Sequence, residues 1–142
     1  AILKVSPDKN VCFNWEQAMS FEGETGPYLQ YAHARICSLL RKYGKKVPKK
    51  ADLSLLSAEP EIALLKTLSD FPSAVEGAEK KPYLLATYAF SLAKQFSDFY
   101  HAEQVLKADD RLRDARLILV DAVRQILSTA LNLLGMDAPE QM

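Results

Sequence analysis

Glycine is scarce in this chain, at 5 of 142 residues. Tight turns draw on glycine's access to positive φ, so this scarcity favours long helices over a many-stranded sheet. No run approaches the ~18 apolar residues needed to cross a bilayer. No basic segment leads into an apolar core with a small-residue cleavage site, so nothing directs the chain to secretion. It lacks GxxxxGK[ST], GxGxxG, HExxH and CxxC, the spacings of phosphate loops, dinucleotide sites and common zinc sites. Cysteine is limited to Cys12 and Cys37. Two thiols without a signal segment fit a reducing cytoplasm, where both read as small buried hydrophobes.

What is present is an ordinary globular composition, 49% hydrophobic and 25% charged, in a length that suits one domain. The net charge is zero, with 18 basic and 18 acidic residues. That balance argues against broad coating of nucleic acid, and neither DNA nor a membrane is an expected partner. It also hides an asymmetry. Residues 35–50 hold seven basic side chains (Arg35, Arg41, Lys42, Lys45, Lys46, Lys49, Lys50) and no acidic one. Residues 51–79 hold six acidic side chains and one lysine. Such separation makes a local field that net charge conceals.

Periodicity predicts an all-α bundle. Residues 1–13 read as a lead-in segment, followed by a short helix capped by Asn14 and a compact loop over 20–26. A long helix is predicted from Pro27 to Tyr43, ended by Gly44, with Leu29, Ala32, Ile36 and Leu39 or Leu40 on its apolar face. A second runs from Glu59 or Pro60 to Asp70, with Ile62, Leu65 and Leu68 inward, until Pro72 interrupts it. Residues 73–80 form another helical piece. The third long helix starts near Pro82 and buries Leu85, Tyr88, Leu92, Phe96 and Phe99. The last starts near Asp109 or Asp110 and turns Leu112, Ala115, Leu119, Ala122, Ile126, Ala130 and Leu133 to the core, with Gly135 as its C-cap.

No catalytic constellation emerges. His33 and His101 are far apart and read as packed or partly exposed polar residues, although His33 shares a helix face with Cys37, four residues on. Asp109, Asp110 and Asp114 sit where acidic residues favour a helix N-terminus, so capping explains them. Tyr28 and Tyr31, with Arg35 just after, are more informative. A ring beside an arginine can stack a base while the guanidinium takes a phosphate. Taken singly, each tyrosine, Tyr100 included, is more often core or rim than ligand.

The string from Phe21 to Arg35, FEGETGPYLQYAHAR, closely resembles the start of the DALR anticodon-binding domain of class I arginyl-tRNA synthetases. The resemblance continues through Asp98–His101, Leu112–Leu117 and the closing LLGMDAPEQM, and so covers about residues 13–142. One departure is the order of Asp114-Ala115-Arg116-Leu117, which scrambles the motif behind the family's name. The resemblance implies a helical domain over 14–142 that binds the anticodon stem-loop of arginine tRNA. It implies a fragment: a catalytic domain of the same polypeptide, using ATP with Mg, would precede Ala1, and the fragment itself would hold no cofactor and no metal. Residue by residue it puts Tyr28, Arg35, Tyr100 and Met142 on the anticodon surface, as one pocket for the middle anticodon base. It likens residues 20–26 to a loop that orders against the anticodon. Arg41, Lys42, Lys45, Lys46, Lys49 and Lys50 are then candidate phosphate contacts. Two other readings stay open from the residues alone: a protein-interaction bundle with the tyrosines as hot spots, and non-specific single-strand binding.

Overall fold

A computed structural model describes residues 14–19, 23 and 25–142. The expectations for the lead-in segment 1–13, for Cys12 and for most of the 20–26 loop lie outside the described residues. The elements are α1 (Trp15–Met19), α2 (Gly26–Tyr43), α3 (Glu59–Ser69), α4 (Phe71–Lys80), α5 (Tyr83–Ala102) and α6 (Asp110–Leu133), with 3-10 turns at Leu53–Leu55 and Val105–Lys107. No strand occurs among the described residues. The all-α expectation therefore holds.

Local chemistry sets the helix ends. The Asn14 side chain accepts a hydrogen bond from Glu16 N at 2.8 Å, capping α1. Thr25 caps α2 by accepting from Tyr28 N at 3.2 Å, and Pro27 occupies the first turn, where no N–H is needed. Asp109 caps α6, accepting from Arg111 N and Leu112 N, both at 3.2 Å. Pro72 does not end α3 in coil. It opens α4, which follows after the single residue Asp70, because proline costs nothing in a first helical turn.

The three long helices α2, α5 and α6 pack on one another, and α3 and α4 lie against α5. The core holds Leu29, Ile36, Leu85, Leu92, Phe96, Phe99, Leu117, Val120, Val123, Leu127 and Leu131. Two helix faces depart from expectation. On α3, Glu61 and Leu64 are the buried residues, while Ile62 and Leu65 are exposed. On α6, Ala115, Leu119 and Ala130 are buried as expected, but Leu117, Val120, Val123, Leu127 and Leu131 complete the inward face; Leu133 is exposed, and Leu112, Ala122 and Ile126 are half-buried.

The α3 shift has an electrostatic cause. Glu61 accepts from Arg116 Nε of α6 at 2.7 Å and from Ala58 N at 2.8 Å. Arg116 Nη2 also pairs with Glu103, at the C-terminal end of α5. A charge held in the interior demands partners of this kind. Satisfying Arg116 rotates α3 so that a glutamate, not an isoleucine, faces inward.

Candidate nucleic-acid interface

The direction of the helices decides which residues meet. Tyr43 of α2 lies by Arg113 of α6, and Gly26 lies by Met136, just past the end of α6, so these two helices are antiparallel. Tyr28 meets Phe90 and Arg35 meets Tyr100, so α2 and α5 run the same way. The Arg35 guanidinium lies over the Tyr100 ring, 4.3 Å from its centroid, well inside cation–π range. Tyr100 is half-buried, braced by Phe96 at 6.0 Å and edge-on to His101 at 5.9 Å.

Beside this pair opens a cleft of about 460 Å³, lined by Tyr31, Arg35, Arg41, Lys42, Tyr100 and Met142 among others. That volume falls in the ~300–1,000 Å³ range of small-ligand sites. Among the described residues no carboxylate forms an ion pair with Arg35 or Lys42. The cleft therefore combines a ring, an arginine already stacked on it, and further cations at its wall. It can take a flat π-system with a phosphate attached.

The C-terminal segment closes one side of the cleft, and the path of the chain explains how. Gly135, at φ 74°, ends α6 in a Schellman turn: Gly135 N donates to Asn132 O at 3.0 Å and Met136 N to Leu131 O at 2.9 Å. Met136 then passes Gly26 so closely that a Cβ there would stand 3.3 Å from its sulfur. The chain next runs along α2. Gln30 Nε2 donates to Asp137 O at 3.0 Å, His33 Nδ1 lies 2.9 Å from Pro139 O, and Arg41 Nη1 donates to Glu140 O at 2.9 Å. A carbonyl only accepts, so His33 carries its proton on Nδ1 here.

Arg35, Tyr100 and Met142 thus line one cleft, together with Arg41 and Lys42. Tyr28 does not join them. Its ring stacks on Phe90, 6.4 Å between centroids, and lines a separate cleft of about 530 Å³ with Gly23, Thr87, Ser91 and Lys94. The reason is the parallel course of α2 and α5. Seven residues of α2 separate Tyr28 from Arg35 by ~10 Å along the axis, and α5 advances in step instead of folding back. Burial pushes the Tyr28 hydroxyl above its ordinary pKa, reinforced by Asp98 and opposed by Arg35.

The basic run divides by position. Lys42 and Lys45 line a further cleft of about 270 Å³ with Tyr43, Leu106 and Arg113. Lys46, Lys49 and Lys50 are exposed on the non-helical segment after α2. Arg41 spends one N–H on the tail. Cys37 is buried, its thiol 3.9 Å from the His33 ring nitrogens and pushed up in pKa by burial. His33 is buried too, at 3% exposure, but as a donor to the tail. The polar role of Gln30 and His33 was missed in the sequence. The only trace there is their spacing with Cys37 and Arg41 (30, 33, 37, 41), which puts them on one helix face.

The family model of the DALR anticodon binding domain matches residues 29–142. The chain belongs to this family. Among curated relatives, the arginine–tRNA ligase of Methanoregula boonei is 48% identical over 143 residues, covering 99% of this chain and 25% of that protein. The arginine–tRNA ligase of Pyrococcus abyssi is 48% identical over 147 residues, covering 99% and 23%. A solved structure of Thermus thermophilus arginyl-tRNA synthetase superposes with a TM-score of 0.89 at 43% identity, over 98% of this chain and 25% of that one. This DALR domain spans about a quarter of the length of the relatives it matches. Among its described residues no helix is long and apolar enough to cross a membrane, and no three of His, Cys, Asp and Glu gather as metal ligands.

Proposed function

We propose that this domain recognises the anticodon stem-loop of arginine tRNA as part of a cytoplasmic arginyl-tRNA synthetase. The ligase chemistry, with its ATP and Mg, then belongs to a catalytic domain outside these residues. The observation that carries the reading is the Arg35 guanidinium stacked over Tyr100 at the mouth of a cleft walled by the C-terminal tail. Single-stranded loops are where proteins read RNA sequence, since their bases can be splayed out and stacked on side chains. Tyr100 supplies the π-face, Arg35 a phosphate or base-edge donor, and Met142 apolar cover. Tyr28 reaches the anticodon loop from its own neighbouring cleft, as a second platform and not as a wall of the first. Lys42, Lys45, Lys46, Lys49 and Lys50, with the free N–H groups of Arg41, add phosphate attraction without sequence preference.

The test is equilibrium binding at one fixed salt concentration to arginine tRNA, an unrelated tRNA and polyuridine. Selective binding of arginine tRNA is expected. Removing a stacked base platform costs about 1–3 kcal/mol, so Tyr100→Ala should weaken it by about tenfold or more. Equal affinity for polyuridine means non-specific single-strand binding, and no affinity for any RNA leaves the protein-interaction reading.

A further inference from the structure

We propose that Gln30, His33 and Arg41 are positioning residues. On this view they form a latch on α2 that holds the C-terminal segment and thereby places Met142 at the cleft. The inference rests on the anticodon reading for its functional half only.

Three donors on one helix meet three carbonyls of the tail in the same chain order, residue 30 with 137, 33 with 139 and 41 with 140. The segment after Met136 forms no helix or strand, so these carbonyls depend on partners from elsewhere in the fold. Chain termini are poorly ordered unless tied down. Met142 is itself 59% exposed, and the Arg41–Glu140 bond lies only two residues before it. What keeps its side chain against the Tyr100 cleft is therefore the latch and not burial. Each donor contributes differently. His33 is buried and cannot be replaced by water, whereas Gln30 and Arg41 make their bonds at the surface. The Schellman turn at Gly135 and the close pass at Gly26 aim the tail, and the latch fixes it.

The experiment uses the full chain labelled with 13C at the methionine methyl groups. The Met142 methyl resonance is expected away from its random-coil position in the wild type. It should collapse to a narrow random-coil signal in His33→Ala and in the surface variant Gln30→Ala/Arg41→Ala. His33→Asn, which keeps a donor near the place of Nδ1, should restore the wild-type signal. The second readout is a binding cycle with arginine tRNA. His33→Ala should weaken binding about as much as deletion of residues 137–142, and should have no further effect in the deleted background. An unmoved Met142 methyl in both variants overturns the latch. A released methyl with full tRNA affinity overturns the positioning role. If the wild type binds no tRNA, the anticodon reading fails, while the methyl resonance still decides whether the latch exists.

Discussion

Arg116 on α6 and Arg35 on α2 end in opposite circumstances. Arg116 is enclosed and held by two carboxylates, Glu61 and Glu103, that belong to different elements. Arg35 stacks on the Tyr100 ring and faces a cleft. The first arrangement is complete within the chain, and its guanidinium ties α3, α5 and α6 together. The second is incomplete, since a guanidinium over a ring still has N–H donors to give. The same contrast separates two tyrosines of α5. Tyr88 is buried, packs against Phe71 at 5.6 Å, and donates its hydroxyl to Thr67 O at 2.9 Å. Tyr100, three helical turns later, presents its ring to the cleft. A charged or aromatic residue whose valences are met internally is architecture. One left partly unmet at a concave surface is where a ligand fits.

The largest expected effect comes from breaking the complete site. Glu61→Ala leaves Arg116 with only Glu103 and should cost about 3–5 kcal/mol, as for other broken buried pairs. The thermal midpoint should fall on the order of 10 °C. The tRNA affinity of the remaining folded protein should be unchanged. Glu61→Leu combined with Arg116→Met should recover much of the stability, since an apolar pair needs no desolvation. A fall below about 1 kcal/mol in Glu61→Ala, measured by denaturant titration, ends the claim that the ion network governs α3 packing.

Breaking the incomplete site should show the reverse pattern. Arg35→Ala is expected to weaken arginine tRNA by about tenfold, near 1.4 kcal/mol, with a stability change within about 0.5 kcal/mol. Arg35→Lys should not restore binding, because lysine lacks the planar group that stacks and forks. A stability loss as large as that of Glu61→Ala erases the distinction between the two arginines.

The smallest effect sharpens the tyrosine pair. Burial pushes the Tyr88 hydroxyl from 10.0 up to about 12, with a further push from Asp70. A folded-state pKa above the unfolded one means the native state keeps its proton longer. The stabilisation is therefore fully present below pH 10 and is lost as pH rises from 10 to 12. Tyr88→Phe should cost about 0.5–1.5 kcal/mol at neutral pH and should reduce the alkaline loss of stability over that window. An unchanged alkaline limb in Tyr88→Phe, followed by thermal melts, removes Tyr88 from this account.

Much of the architecture was legible in the residue order. Asn14, Pro27, Gly44, Asp109 and Gly135 act on backbone groups a few positions away, so these helix ends could be read directly, whereas the Thr25 cap on α2 emerged only in the structure. The pattern Leu85, Tyr88, Leu92, Phe96, Phe99 identified the α5 core face correctly because all five point into one apolar environment. The α3 face failed because apolar spacing ranks Ile62 and Leu65 above Glu61 and carries no information about a cation arriving from residue 116. The candidate site divides in the same way. Arg35, Tyr100 and Met142 could be named from the resemblance, which grouped Tyr28 with them; the pairings of Tyr28 with Phe90 and of Arg35 with Tyr100 show that α2 and α5 run in parallel, which sets Tyr28 in a neighbouring cleft.

The sequence by itself determined the helical class, most of the caps, the separation of charge and the membership in the DALR family. All of these rest on short-range spacing or on extended strings of residues. Only the tertiary structure decided which way α2 and α5 run, which face of α3 is buried, and how the tail lies along α2. Each of those depends on a partner 55 to 107 residues away in the chain, Arg116 for Glu61 and Asp137 for Gln30 at the extremes. Hydrogen bonds and ion pairs of that reach leave no periodic mark on either partner, because the geometry that makes them favourable does not exist until the helices have packed.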